Sequence, residues 1–167
     1  MQPQSVVAAF VKELETLRSP KLSVTIQLSD QLILPLSVGD KTIEGLDWFS
    51  RFNSNEKYDL ILVDPPFGLL KKAVEIGRSS IRVRRNWIEI YNALQLLSPK
   101  GLCIAAVEST AFSASEGPRF QSELEKEGYF VNGIFNLPKN IVQTSSMRPV
   151  LVALSRKKTS GIFLSEL

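Results

Sequence analysis

The most constraining feature of this sequence is a short apolar run that ends abruptly in Asp64-Pro65-Pro66-Phe67-Gly68. Residues 60–63 are Leu-Ile-Leu-Val, which is typical of a central parallel strand covered on both faces of a sheet. The two prolines have no backbone N–H, so they end the hydrogen-bonded ladder. Asp64 is therefore predicted at the carboxyl end of a buried strand, where ligands bind in open α/β sheets. An ordinary Pro-Pro turn with Asp64 as a capping residue is the alternative.

The rest of the chain alternates helical and strand patterns. Helices are predicted at about residues 5–18, 42–52, 84–97 and 118–127. Strands are predicted at 22–28, up to Asp64, and at 102–107, 130–135, 150–155 and 162–164, with an edge strand or loop at 32–36 and a loop as far as about residue 83. This order predicts a single α/β domain over residues 1–167, built on a doubly wound, mostly parallel sheet with an antiparallel strand near its carboxyl terminus.

Composition excludes several kinds of chemistry. The chain of 167 residues contains no histidine, so it has neither an imidazole base nor a histidine metal site, and its one cysteine has no histidine partner for nucleophilic catalysis. A lone Cys103 in an apolar run excludes a disulfide framework and predicts a buried thiol in an intracellular, cytoplasmic protein. No secretion signal and no apolar stretch of membrane-spanning length is present, so no membrane contact is expected.

The tetrapeptide Asp64-Pro65-Pro66-Phe67 resembles the catalytic Asp/Asn-Pro-Pro-aromatic motif of S-adenosylmethionine-dependent amino-methyltransferases, above all the adenine-N6 DNA methyltransferases. The similarity continues through residues 86–101, which resemble the helix, Pro-x-Gly turn and strand that follow the motif. It then reaches Leu137-Pro138 and the late strand after Arg148, a pattern similar to the modification subunits of type I restriction systems. The resemblance spans roughly residues 40–167 and implies the Rossmann-like methyltransferase type of α/β fold.

The resemblance also implies roles for the four residues of the motif. Asp64 and the backbone carbonyl of Pro65 would accept hydrogen bonds from the exocyclic amine of the target base and hold its lone pair toward the sulfonium methyl. Pro65 and Pro66 would restrict the chain so that this carbonyl stays in place. Phe67 would stack on a base flipped out of the duplex, and its alternative is a core-filling aromatic.

The cofactor expected from the resemblance is S-adenosylmethionine, yet its usual glycine-rich loop is not found. In the family this loop follows the first strand, and an acidic residue at the end of the second strand binds the ribose hydroxyls. Residues 1–38 contain no glycine, although a loop without Cβ atoms approaches a ligand most easily. Asp30 is a weak candidate for the ribose acid. Asp40 resembles the Gly-Asp turn near the cofactor's adenine ring, or else it caps the next helix.

Two explanations of the missing loop remain open. The chain is either the catalytic-motif part of a longer enzyme or a diverged module that kept the fold, lost the cofactor and binds nucleic acid or a partner subunit. RNA or protein amino-methyltransferases, which use similar tetrapeptides, are a further alternative. The type I resemblance implies DNA as a partner, together with a specificity or restriction subunit.

Basic and polar residues near the motif complete the candidate site. Lysine and arginine number 20 against 17 acidic residues, a formal net charge of +3 that permits nucleic-acid binding. Arg82, Arg84 and Arg85 are candidates to contact phosphates, and a solvated surface is the alternative. The segment Glu108-Ser109-Thr110, Asn136 and the loop 139–146 each follow a predicted strand, so they are expected at the same edge of the sheet.

Overall fold

The computed structural model describes residues 3–18, 22–28, 41–45, 47–52, 55–138, 141–142 and 148–167. Within these residues the helices are α1 (Pro3–Arg18), α2 (Arg85–Leu94), α3 (Thr110–Ser113) and α4 (Glu116–Lys126), with a 3₁₀ turn at Trp48–Arg51. The strands are β1 (Ser23–Gln27), β2 (Lys41–Glu44), β3 (Tyr58–Asp64), β4 (Lys71–Ile76), β5 (Ser79–Arg84), β6 (Leu97–Glu108), β7 (Phe130–Asn136), β8 (Pro149–Ser155) and β9 (Phe163–Glu166).

Seven of the described strands form one sheet in the order β2-β1-β3-β6-β8-β7-β9. Strand β8 runs antiparallel to its neighbours β6 and β7, and the other pairs are parallel. The fold class predicted from the sequence is therefore confirmed: a mostly parallel α/β sheet with an antiparallel strand on its carboxyl-terminal side. Strand β3 lies inside the sheet, between β1 and β6, which agrees with its apolar sequence.

Both faces of the sheet are covered, because successive side chains of a strand point to opposite sides. On one face Ile61 and Val63 of β3 pack into a cluster with buried residues of α2 and α4. On the other face Leu60 and Leu62 pack with Val7 and Val11 of α1, among others. Placing helices on both faces is the doubly wound arrangement, and it leaves the ends of the strands as the place for polar groups.

The predicted helix at 42–52 is wrong. Residues 41–44 form β2, which pairs in parallel register with β1 from Val24↔Lys41 to Gln27↔Glu44. Gly45 follows with φ of +90°, a left-handed conformation that ends the strand. Among the described residues of this segment, only Trp48–Arg51 is helical, as a 3₁₀ turn. Buried Trp48 donates a hydrogen bond from Nε1 to Glu89 Oε2 of α2 at 2.8 Å. Pairing with β1 thus overrides the local helical spacing.

The predicted loop as far as residue 83 is also wrong over most of its length. Strands β4 and β5 form an antiparallel hairpin from Lys71↔Arg84 to Ile76↔Ser79. The two residues between them are Gly77 and Arg78, and Gly77 has φ of +58°, which suits a two-residue hairpin turn. Alternation of polar residues with buried Ile81 and Val83 was the available signal.

Smaller differences concern the ends of elements. Strand β6 begins at Leu97, five residues before its predicted start, and the short helix α3 was not predicted. The last strand, β9, lies parallel to β7 as an edge of the sheet. The possible strand at 32–36 lies outside the described residues. None of the helices in the described part of the chain is long and apolar enough to cross a membrane.

Candidate active site

Asp64 is the last residue of β3 and is completely buried. The neighbouring strand β1 holds it in place, because Gln27 is its register partner and donates a hydrogen bond from Nε2 to Asp64 Oδ2 at 3.1 Å. The backbone carbonyl of Asp64 accepts a hydrogen bond from the N–H of Leu28 at 2.9 Å. Both the main chain and the carboxylate are therefore fixed at the carboxyl edge of the sheet.

The residues after Asp64 leave the sheet toward the face covered by α1. Pro65 is buried and Pro66 is half-buried. Phe67 is half-buried and packs against the cluster that contains Leu60, Leu62 and α1. The ring thus keeps an accessible part while its other side rests on the core, so the geometry accommodates both interpretations of Phe67.

Glu108, at the end of β6, ties the segment after Phe67 to the sheet. Its Oε1 accepts a hydrogen bond from the backbone N–H of Gly68 at 2.8 Å. Its Oε2 accepts from Arg84 Nη1 at 3.1 Å and from Asn86 Nδ2 at 3.4 Å. Glu108 is buried, and a buried carboxylate that accepts charge-assisted hydrogen bonds holds its donors firmly. The sequence predicted Glu108 near Asp64, and the structure shows that it anchors the exit of the tetrapeptide.

Arg84 links two carboxylates beside this segment. Its guanidinium forms ion pairs with Glu108 and, through Nε, with Glu116 Oε1 at 3.0 Å. Lys71 at the start of the hairpin pairs with Glu116 Oε2 at 2.9 Å. The two acids and two bases form a neutral network that joins β6, the hairpin and α4. Thr110 Oγ1 accepts a further hydrogen bond from Arg84 Nη1 at 3.0 Å.

The pKa of Glu116 reflects this network. Burial raises the pKa of the carboxyl group, but the hydrogen bond from Lys71 and the positive charges of Lys71 and Arg84 lower it more. The net result is a pKa below the ordinary value of 4.5, so the ion pairs persist in mildly acidic solution.

The three arginines predicted to contact phosphates have different surroundings. Arg84 is only 7% exposed and its guanidinium is engaged by Glu108, Glu116 and Thr110. Arg85 is half-buried and pairs with Glu89 at 3.3 Å. Arg82 is exposed on the hairpin. Its position leaves it the most accessible of the three to an external anion.

Other predicted positions are distributed along the same edge. Ser109 and Thr110 follow β6, and the N–H of Ser109 donates to the carbonyl of Arg148 at 3.0 Å. Asn136 ends β7, where its carbonyl accepts a hydrogen bond from the N–H of Leu167 at 2.9 Å. Within the loop 139–146 only Ile141 and Val142 are described, and both are buried.

The two residues selected from the sequence as cofactor contacts, Asp30 and Asp40, both lie outside the described residues. The described strand next to β1 at this end of the sheet is β2, and its last residue is Glu44, which is exposed. Sequence reasoning missed Glu44 because residues 42–52 were interpreted as a helix. Alternation in Lys-Thr-Ile-Glu followed by Gly45 was the signal that could have identified it.

Comparison with solved structures shows which type of α/β fold the chain has. A protein of Listeria monocytogenes classed as a class I S-adenosylmethionine-dependent methyltransferase matches 100% of the chain, with a TM-score of 0.68 and 15% identity, over 65% of that protein. The methyltransferase subunit of a type I restriction-modification system from Streptococcus thermophilus matches 95% of the chain with a TM-score of 0.67 and 12% identity. A type I modification subunit from Vibrio vulnificus matches 99% of the chain, with a TM-score of 0.63 and 14% identity.

The chain has a methyltransferase fold. The resemblance to methyltransferases and type I modification subunits is thus confirmed in three dimensions, although sequence identity stays at 12 to 15% for these three proteins. The chain spans 65%, 45% and 46% of their respective lengths. Neither the family models nor the curated proteins searched contain a match to the sequence. On this methyltransferase fold, Asp64 occupies the carboxyl edge at which ligands of open α/β sheets bind.

Proposed function

We propose that this protein, which has a methyltransferase fold, transfers a methyl group from S-adenosylmethionine to the exocyclic N6 amine of an adenine flipped out of DNA. The observation that carries the proposal is the position of Asp64-Pro65-Pro66-Phe67 at the carboxyl end of the interior strand β3, anchored by Gln27 and Glu108. Similarity of the fold to type I modification subunits supports DNA as the substrate and a specificity or restriction subunit as a partner. A cytoplasmic location goes with this proposal.

The proposed chemistry needs little from the protein beyond positioning. Asp64 and the carbonyl of Pro65 accept hydrogen bonds from the amine and direct its lone pair toward the methyl group. When bound, the cofactor would supply the methyl group to the amine nitrogen, and this nitrogen would then release a proton to solvent. Fixed acceptors favour the positive charge that develops on nitrogen, because they need no reorganisation during the step. Phe67 replaces part of the stacking that the flipped base loses.

S-adenosylmethionine would supply the methyl group as a sulfonium when bound. Glu44 fits the ribose end of this cofactor, since an exposed carboxylate at the end of β2 can accept hydrogen bonds from two hydroxyl groups. Asp30 and Asp40 remain further proposals for cofactor contacts.

One observation favours the second candidate function, a non-catalytic module that binds nucleic acid or a partner subunit. Asp64 has no exposed surface, and one of its carboxylate oxygens already accepts a hydrogen bond from Gln27. A target amine can therefore reach this carboxylate only if the chain that covers Asp64 moves. An enzyme that methylates RNA or a protein amide would use the same two hydrogen-bond acceptors. Identifying the methylated product distinguishes such an enzyme from a DNA methyltransferase.

The deciding experiment compares Asp64→Ala with the parent in transfer of a labelled methyl group to duplex DNA. We expect the variant to lose transfer by about 100-fold or more, because it lacks one of two fixed acceptors. Glu75→Ala, which removes an exposed carboxylate of the hairpin, is the matched control and should keep the parent rate. Thermal unfolding of both variants checks that the fold is intact.

The product identifies the reaction. N6-methyladenine in digested DNA supports the proposal. A methylated RNA base or a methylated protein amide would show instead that RNA or a protein is the substrate. Parental transfer by the Asp64 variant would place the chemistry at another site. No transfer by the parent to any of these substrates favours the non-catalytic module.

A further inference from the structure

A pocket of about 490 Å³ lies between the hairpin and α4, close to the segment that follows the tetrapeptide. Strand β5 contributes Ser80 and Arg82, α4 contributes Arg119, and Ser115 lies directly before α4. Lys71 and Glu116 also line it. None of these residues belongs to the tetrapeptide or to the proposed cofactor contacts, so the pocket needs its own explanation.

The charges of this pocket do not cancel. Lys71 and Glu116 belong to the neutral network with Arg84 and Glu108, which accounts for the one carboxylate in the lining. Arg82 and Arg119 remain as two cationic side chains, and both are exposed. Neither forms an ion pair among the residues that the structure describes, although the charge of Arg119 helps to lower the pKa of Glu123, which lies outside the pocket. The pocket therefore carries an excess of two positive charges.

The donors match the geometry of a phosphate group. Guanidinium groups donate paired N–H groups to phosphate oxygens, and hydroxyl groups add single donors. The hydroxyl of Ser115 makes no capping hydrogen bond to α4. Arg82 uses one N–H on the carbonyl of Lys71 at 3.2 Å, and this contact holds its side chain along the hairpin while further N–H groups are left for an anion.

The chain that leads into the pocket at Lys71 favours a polynucleotide as the source of the phosphate. Leu69 and Leu70 are 73% and 83% exposed, and they lie between the anchored Gly68 and Lys71. Two exposed leucines that directly precede Lys71 in the chain suit a ligand that presents both charged phosphates and apolar base faces. A free phosphate ion would use the cations and leave the leucines without a ligand surface.

We propose that the pocket between β5 and α4 binds a backbone phosphate of the DNA strand and so positions that strand beside Asp64. This inference rests on the proposed function and adds a second, separate contact to it. Arg119 was not among the residues selected from the sequence, because it lies 37 positions from Arg82 and only the packing of α4 against β5 brings the two into one pocket.

The test is the affinity for a fluorescent DNA duplex as a function of salt concentration, for the parent and for Arg82→Ala, Arg119→Ala and the double variant. We expect each single variant to bind several-fold more weakly at about 0.1 M salt, and the double variant to lower the salt slope by about 1. If both arginines hold the same phosphate, the second substitution should add little to the first. Arg78→Ala, in the turn of the same hairpin but outside the pocket, is the matched control and should keep the parent slope.

Each other outcome overturns the inference. An unchanged slope in the double variant excludes a phosphate contact in the pocket, and an equal effect of Arg78→Ala shows a general attraction to the hairpin. If inorganic phosphate displaces the arginine-dependent part of binding at the same ionic strength where chloride does not, the pocket belongs to a small phosphate compound.

Methyl transfer, measured on the same proteins, separates the two proposals. Transfer by the parent together with an unchanged slope in the double variant overturns the phosphate pocket alone. A reduced slope without any transfer by the parent supports the pocket and counts against the proposed reaction.

Discussion

At the scale of single residues, Glu116 shows how the site is held. It is buried at the start of α4 and joins Lys71 of the hairpin to Arg84. Removing the charge of Glu116 would leave buried Arg84 with Glu108 as its remaining carboxylate, and would leave the partly exposed Lys71 without one. An uncompensated charge in a buried network is costly. The network therefore fixes the relative positions of the hairpin and α4 more than it adds to the net stability of the fold.

Glu116→Gln tests this network through its pH dependence. Because the folded-state pKa of Glu116 is below 4.5, its contribution to stability is complete above that pH and is lost as the pH falls through the folded-state pKa. We expect the variant to be less stable than the parent by about 3 kcal/mol near neutral pH, with a difference that shrinks in more acidic solution. Urea unfolding at neutral and acidic pH measures this difference.

Glu125→Gln is the control on the same helix. Its carboxylate pairs with Lys158 at 3.5 Å on the exposed surface, so its removal should change the free energy of unfolding by less than about 1 kcal/mol. A difference for Glu116→Gln that stays constant over the acidic range would show that its charge is not what stabilises the fold.

At the scale of elements, a close approach between α3 and α4 sets the position of the pocket. Gly117 lies near the start of α4, and a Cβ atom there would come within 2.2 Å of the backbone carbonyl oxygen of Ala111 in α3. Backbone cannot move aside as a flexible side chain can. The lack of a side chain at Gly117 thus allows the two helices to meet and brings Glu116 and Arg119 toward the hairpin.

Gly117→Ala should therefore destabilise the protein. Alanine favours a helix over glycine by about 1 kcal/mol, but forcing a methyl group against backbone costs about 1–3 kcal/mol or more at this distance. We expect a lower midpoint of denaturant unfolding, with the net loss set by the contact. Gly161→Ala, where the new Cβ would meet nothing within 4 Å, should leave the midpoint nearly unchanged. A stabilised Gly117 variant would mean that α3 yields easily and does not constrain α4.

At the scale of the whole molecule, the proposed cofactor would bind across strands that come from distant parts of the chain. Gln27, Glu44 and Asp64 end three adjacent parallel strands, with Gln27 in register with both of the others. A ligand that spans these strands binds the folded sheet and not the unfolded chain. Binding should therefore stabilise the whole fold.

S-adenosylhomocysteine provides a measurement of this coupling that does not depend on catalysis. At about 100 times its dissociation constant it should add about 2.7 kcal/mol to the free energy of unfolding. Glu44→Gln should weaken binding by about tenfold, because a hydrogen bond to a charged group is replaced by a neutral one. Titration calorimetry and thermal unfolding give the two quantities, with Glu75→Gln as the control. Unchanged affinity in the Glu44 variant would remove Glu44 from the cofactor site, and no binding to the parent would favour the non-catalytic module.

Some features of this protein follow from its sequence alone. The apolar run before Asp64 and the two prolines after it predicted a buried strand that ends at that acid, because proline has no N–H to continue the hydrogen-bonded ladder. The amphipathic helices α1, α2 and α4 and strands β7 and β8 follow equally from periodic patterns. Together they were sufficient to predict the fold class.

Only the tertiary structure decided the rest, since it depends on which strands pair. Residues 41–44 have a weak local preference and become a strand because β1 offers them a hydrogen-bonding edge, and this pairing brings Glu44 to the edge occupied by Asp64. Arg84 and Arg82 look alike in the sequence, yet one is buried in an ion-pair network and the other is exposed beside Arg119. Charge and spacing are properties of the sequence, whereas burial and partnership arise from contacts between residues far apart in the chain.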